Sequence, residues 1–433
     1  MIIVKFICRY ARLGLPIRLR PASNFASLGL KTRILKRLQY DNLYCITADI
    51  QVYTEVYCLR WIDMIKFGIH PRRVGYPVSP SVKPWPCWAA DVFKTGILEL
   101  LQYTMNTLKT SLACIYFAFI VLCSGNYVFS ASPVEKHGLL VVKDGKLRDK
   151  NGNVVVLRGM SLFWSQWMPQ FYNKNTVDWL VKDWNVNVIR AAMAVESQGY
   201  LRNPDREKAK IFAVIDACIE QNIYVIVDWH DHNAVDHEKQ AIEFFKEIAT
   251  KYGTHPHLIY ETYNEPLNTH TWPQIKKYHE AVVAEIRKID PDNLILLGSS
   301  WWDQAVDEAS KDPLEGFANL AYTFHFYTSD RNHQQKLRDQ ADTAIKNGLC
   351  LFISECGVSE SSGNGDFDTE KTDLWFDWAE RNEISWCVWS IADKNETSAA
   401  LLPGASKDGG WKIDELTPGG KYIREKIRAL NVQ

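Results

Sequence analysis

"LIYETYNEP" (258–266) decides how this 433-residue chain reads. Leu258, Ile259 and Tyr260 are bulky, apolar and suited to a pleated strand. The run turns polar at Glu261 and finishes on Asn264, Glu265 and Pro266. Proline denies a ladder donor, so the strand stops there. An apolar start with a polar finish describes a strand buried on both faces that delivers its last side chains to an open rim.

Seven further stretches share that form: "VVVLRGMS" (154–161), "VNVIRAAM" (186–193), "IYVIVDWHD" (223–231), "LILLGSSWW" (294–302), "LAYTFHFY" (320–327), "LCLFISECG" (349–357) and "SWCVWSIA" (385–392). Between them lie amphipathic helical patterns, clearest at 206–221, 237–252 and 272–289. Thr271 is an N-cap there, with Pro273 just inside the helix. Strands alternating with helices make a parallel sheet. Eight repeats over about 300 residues predict a (β/α)8 TIM barrel, preceded by an N-terminal β-hairpin at 138–161 around the turns "KDGK" and "KNGN". A doubly wound sheet is the alternative, but "LRGMSLFW" lacks the Gly-rich first turn that fold uses.

In such barrels chemistry sits at the C-terminal ends of the strands. Arg190, Asp228, His230, Asn264, Glu265, His325, Tyr327, Glu355 and Trp389 gather there in this reading, while the strand starts are apolar. Ile259 and Tyr260 then lie toward the closed bottom, and Glu261 is an interior partner with no chemistry assigned. Glu265 and Glu355 form a carboxylate pair. One can give a proton to a leaving oxygen while the other attacks or activates water. Asn264 suits a hydrogen bond to a sugar 2-OH. Taken singly, either Glu could equally be a cap or an ion-pair partner.

"NVIRAAM", "VIVDWHD", "YETYNEP", "YTFHFYT", "LFISECG" and "WSIADKNETSAAL", in that order, resemble glycoside hydrolase family 5. The likeness is to the bacterial-type endoglucanase branch also found in invertebrates, and it covers about residues 135–431. It implies an endo-β-1,4-glucanase that retains anomeric configuration, with Glu265 as acid/base and Glu355 as nucleophile. It implies that Arg190 favours the charged form of Glu355, Tyr327 bonds Glu355, and His325 lies near Glu265. His230 and Asn264 would bind the reacting sugar, Trp389 would stack on it, and Trp167, Lys394 and Glu396 would serve neighbouring subsites. Two positions depart from the family. Phe163 stands where many relatives have His, and Cys356 follows the nucleophile where many have Trp, which would place a thiol in the site wall.

Weaker signals surround these. His230 and His232 could form a His-x-His metal pair, although no third ligand set converges, and the expectation is no metal and no organic cofactor. Trp301 and Trp302 serve either glucan stacking or the core. The same-class alternative is a family 5 enzyme acting on mannan, xylan or mixed-linkage glucan; the others are a non-catalytic carbohydrate-binding barrel and a metallohydrolase.

Overall charge is −1, which gives no polyanion-binding signal. It is unevenly spread. Residues 1–130 hold 16 Lys+Arg and 6 Asp+Glu, a net of +10, leaving −11 for the rest. Around the boundary, "MNTLKTSLACIYFAFIVLCSGNYVFSASP" begins at Met105 and reads as a secretory signal peptide over 105–131. Residues 1–104 then read as a leader ahead of it; a membrane anchor through 111–130 and a true N-terminal domain are the alternatives. The catalytic barrel is placed at 133–433. A secreted monomer acting on polysaccharide follows, with no nucleic acid partner and no stable membrane association. Cys218, Cys350, Cys356 and Cys387 lie in the barrel, and their pairing is not deducible from spacing.

Overall fold

The computed structural model describes residues 131–431. Residues 1–104, expected as a leader, and the expected signal-peptide segment through residue 130 lie outside the described residues. Among those described, no helix is long and apolar enough to cross a membrane.

The chain enters through a short helix, α1 (Pro133–His137), closed by a Ser132–Glu135 capping box. The expected hairpin follows. β1 (Val141–Lys143) pairs antiparallel with β2 (Lys146–Arg148). Asp144 and Gly145 both take positive φ, as a two-residue primed turn requires. The second turn, "KNGN", is held by the Asp149 carboxylate, which accepts the Asn151 and Asn153 amides.

The eight apolar runs then appear as strands: β3 (Arg158–Leu162), β4 (Val188–Ala194), β5 (Tyr224–His230), β6 (Leu258–Glu261), β7 (Leu294–Leu297), the split pair β8 (Leu320–Thr323) and β9 (Phe326–Tyr327), β10 (Leu351–Gly357) and β11 (Ser385–Ile391). Neighbours pair in parallel, and β11 returns to β3, closing the (β/α)8 barrel. Helices α2 (Lys174–Trp179), α3 (Pro204–Glu220), α4 (Glu238–Tyr252), α5 (Trp272–Arg287), α6 (Ser300–Asp303), α7 (Val306–Ala309), α8 (Gln335–Lys346), α9 (Thr369–Arg381) and α10 (Pro418–Leu430) complete it. Thr271 caps α5 in a capping box with Gln274, as its sequence predicts.

Alternation along each strand sorts the side chains. On β4, Ile189, Ala191 and Met193 pack outward against the helices, while Val188 points inward. Inward residues run from apolar to polar along the barrel axis. Val188, Tyr224, Ile226, Ile259, Leu296 and Phe352 form a dry lower layer, sealed from below by Val134, Leu140 and Leu147 of α1 and the hairpin. Above it come the polar groups Ser161, Arg190, Asp228, Glu261 and Ser354, all buried. At 25 cal/mol per Å², this apolar floor is the favourable term that offsets placing charge in the middle of a barrel.

Three strand ends differ from expectation. β6 stops at Glu261, not at Pro266. Beyond it the Thr262 amide still donates to Leu296 O of β7 and the Asn264 amide to Trp229 O of β5, so regular pairing ends at Glu261 while the chain stays tied to both neighbouring strands. The run 320–327 breaks at Phe324–His325, because the His325 amide turns aside to Asp303 O. On β10 the register with β11 shifts between Ile353 and Cys356. This bulge turns both Ser354 and Glu355 inward. It also turns Cys356 outward into the helix-facing core, so the thiol is not part of the site wall. All four barrel cysteines are buried and free.

Candidate active site

One guanidinium organises the polar layer. Arg190 is fully buried. Its Nε and Nη2 fork onto Glu261 at 2.7 and 3.0 Å, Nη1 reaches Glu355 Oε2 at 2.8 Å, and Nη2 reaches Asp228 Oδ2 at 2.9 Å. Nη2 also donates to Asn264 Oδ1 at 2.6 Å. That contact fixes the Asn264 amide with its oxygen on Arg190. Three carboxylates facing one cation cannot all ionise cheaply. Burial pushes Asp228 up to about 8, against the pull of Arg190. Asp228 is also the one of the three with an oxygen, Oδ1, lacking a hydrogen-bond partner. Burial likewise raises Glu261, to about 7, with Arg190 opposing, so Arg190 is what holds this buried group of carboxylates together.

Glu355 is held from its other side by the Tyr327 hydroxyl, which donates to Oε1 at 2.8 Å. Burial and the carboxylates Glu355 and Glu265 raise the Tyr327 phenol well above its usual range, so it stays a donor. Glu265 is half-buried at the rim, and burial raises its carboxyl, with His232 and Arg190 opposing. His325 Nδ1 is 3.1 Å from Glu265 Oε1. One oxygen each of Glu265 and Glu355 and a nitrogen of His325 lie within 4.8 Å of one another. The two carboxylates predicted from separate strand ends therefore face one small volume.

An aromatic wall rises beside them. The His230 ring stacks parallel on Trp389, centroids 5.2 Å apart, and Trp164 meets His230 edge-on at 4.0 Å. His230 Nδ1 is anchored 2.6 Å from Asp228 Oδ2. Phe163 packs on Trp389 at 5.1 Å, and Lys394 Nζ sits 4.5 Å above the Phe163 ring while pairing with Glu396 at 2.5 Å. Phe163 is thus an apolar wall that carries Lys394. Trp167 beside it is 54% exposed, and across the mouth Trp301 is 52% exposed. Trp301 is therefore a surface group, not core. The His230–His232 pair does not converge, since His232 Nδ1 instead faces Glu265 O at 3.2 Å.

A sequence model described as Cellulase (glycosyl hydrolase family 5) matches residues 148–395. The chain belongs to glycosyl hydrolase family 5. It is 41% identical over 341 residues to Endoglucanase Z of Dickeya dadantii, covering 78% of this chain and 76% of that protein. It is 38% identical over 338 residues to an endoglucanase of Clostridium saccharobutylicum, covering 77% and 75%. The catalytic domain of Thermobifida fusca endoglucanase Cel5A superposes with a TM-score of 0.66 at 30% identity, over 69% of this chain and all of that domain. A further structure of that domain is a complex with cellotetraose.

Within this family 5 barrel, the candidate catalytic and sugar-binding residues named from the sequence lie at the mouth or in the polar layer beneath it, whereas Cys356 does not. Sequence reading left Glu261 without a role and passed over Ser354 and Asp303. Inward spacing on β6 could have flagged Glu261, since Ile259 two residues earlier faces the barrel floor. The same spacing from Phe352 reaches Ser354, and the bulge then breaks the alternation at Glu355.

Proposed function

We propose that the chain is a secreted endo-β-1,4-glucanase acting by retaining double displacement. The reading is carried by the approach of Glu265 and Glu355, with oxygens within 4.8 Å. Retaining glycosidases hold their carboxyl groups about 5–5.5 Å apart, whereas inverting ones leave room for a water. Glu355, aimed by Arg190 and Tyr327, attacks the anomeric carbon. Glu265, whose carboxyl burial raises, gives its proton to the leaving oxygen. Once the leaving chain departs, Glu265 takes a proton from water, which displaces Glu355 and releases the sugar with its original configuration.

Asn264, oriented by Arg190, presents its NH2 to the sugar 2-OH. His230 and Trp389 form the floor of the same subsite, and Trp167, Lys394 and Glu396 extend it. Exposed aromatics on both sides of the carboxylates, Trp167 and Trp301, suit a long glucan threaded through the mouth. The endoglucanase relatives support the same substrate, and the segment 105–131 supports secretion. The enzyme acts as a monomer without metal or cofactor.

The test is full-length protein on carboxymethylcellulose, mannan and xylan, beside Glu355→Gln. Carboxymethylcellulose should lose viscosity quickly and release β-anomers first, while Glu355→Gln is folded and silent. A near-wild-type rate in Glu355→Gln would refute the nucleophile. Sugar release from mannan or xylan alone would move the substrate. Mature protein beginning well before Met105 would refute the secretory reading.

A further inference from the structure

We propose that Ser354 is a positioning residue: it fixes His325 in the tautomer protonated at Nε2, so that Nδ1 accepts a proton held by Glu265. The proposal rests on Glu265 being the catalytic acid/base.

The argument is a count of donors. His325 Nε2 is 2.8 Å from Ser354 Oγ. Ser354 has one hydroxyl proton, and it goes to Glu261 Oε1 at 2.8 Å. Glu261 holds both oxygens in the Arg190 fork, a carboxylate geometry that opposes the burial raising it to about 7, so the shared hydrogen runs from Ser354 to Glu261. Ser354 must therefore accept from Nε2–H. Two carboxyl groups ring the same nitrogen. Asp303 Oδ2, whose group burial raises well above the usual carboxylate range, is 3.4 Å away, and Glu261 Oε1 is 3.8 Å away. A bare Nε2 would face the lone pairs of Ser354 and Glu261.

A neutral imidazole carries one ring proton, so Nδ1 is then bare. Burial lowers His325 to about 4, which keeps it neutral in working conditions. Its 3.1 Å contact with Glu265 Oε1 is a hydrogen bond only if Glu265 supplies the hydrogen. The surrounding charges come from every neighbouring element. Arg190 lies on β4, Glu261 on β6, Asp303 on α6, Glu355 on β10, and His232 after β5. His333, after β9, acts on Glu265. The cations favour ionised Glu265, and Nδ1 opposes them by offering a lone pair.

This device serves both halves of the reaction. Before cleavage it favours the acid form. After Glu265 has given its proton to the leaving oxygen, a carboxylate oxygen faces a bare ring nitrogen. That repulsion drives Glu265 to take the next proton, from the attacking water.

The test uses full-length protein labelled with 15N-histidine, the His325 signals being assigned by their loss in His325→Gln. Wild type should show hydrogen on Nε2 and a bare Nδ1 around neutral pH. Ser354→Ala removes the nearest acceptor, so the Nδ1–H population should rise. The alkaline limb of kcat/KM should then move down by about one pH unit, a tenfold change worth about 1.4 kcal/mol. Ser354→Thr, which keeps the hydroxyl, should restore both. Hydrogen on Nδ1 in wild type overturns the proposal. So does an unmoved limb in Ser354→Ala, or an equal shift in Ser354→Thr. If wild type hydrolyses no glucan, the reading of function falls, and the 15N signals still decide the tautomer.

Discussion

Replacing Gly357 by Ala should damage catalysis without touching substrate. Gly357 pairs with Tyr327 across β10 and β9. A Cβ added there would stand 2.2 Å from Tyr327 Cδ1 and 2.3 Å from Cε1. Gly357 has no positive φ, so the backbone tolerates alanine and the effect is purely steric. Carbon atoms rest about 3.5–4.0 Å apart, so the ring must retreat by more than about 1 Å. The Tyr327–Glu355 hydrogen bond, now 2.8 Å, then stretches past bonding range. A bond to a charged acceptor contributes about 1.5–3 kcal/mol. At about 1.4 kcal/mol per decade, kcat/KM should fall about 10- to 150-fold. Overpacking should also lower stability by about 1–3 kcal/mol. Kinetics on carboxymethylcellulose beside chemical unfolding separate the two losses. Tyr327→Phe keeps the ring and deletes the bond, so Gly357→Ala in that background should cost little further rate. A full additional loss there, or an unchanged kcat/KM in the single variant, would refute the reasoning.

Asp228 gives a pH-dependent stability. Its folded value of about 8 exceeds the ordinary 3.8, so its contribution is complete below about 4 and is lost as pH rises toward 8. Asp228→Asn cannot titrate; urea unfolding should show wild type losing ground to the variant across that window, and parallel curves would contradict the assignment. Trp167→Ala and Trp301→Ala should each lower kcat/KM on long glucans about 2- to 12-fold, from about 0.5–1.5 kcal/mol of lost stacking. Chromogenic cellobiosides should be nearly indifferent to Trp301→Ala. Equal losses on polymer and short substrate would argue for a structural role instead.

The barrel was legible because each strand carries its own signal: a short apolar run, a polar end and a helix after it. The carboxylate pair was legible for the same reason, Glu265 and Glu355 each closing such a run. What escaped lies where backbone regularity fails. A period-2 reading puts Ser354 and Glu355 on opposite faces, and the bulge puts them on the same one. Cys356 was expected in the site wall from its place after the nucleophile in the family pattern, and the chain turns it toward the helices instead. Glu261 was visible as an odd acid in a greasy strand, but its meaning needs Arg190 seventy-one positions earlier in the chain, which no local pattern supplies. The departure of the chain from β6 after Glu261 depends on acceptors in β5 and β7, again invisible in one stretch.

The pairing of β11 with β3 has a consequence for how this protein can fail. Arg190 comes from the second barrel strand, Glu355 from the seventh and Trp389 from the last, and the ring has no free edge once it shuts. A chain that has formed six or seven staves holds a cation without its full set of anions, and a nucleophile without its neighbours. Hydrolysis is then a binary report on closure. Partly unfolded or truncated molecules contribute nothing to the rate, so the specific activity of a sample measures the fraction of intact rings in it.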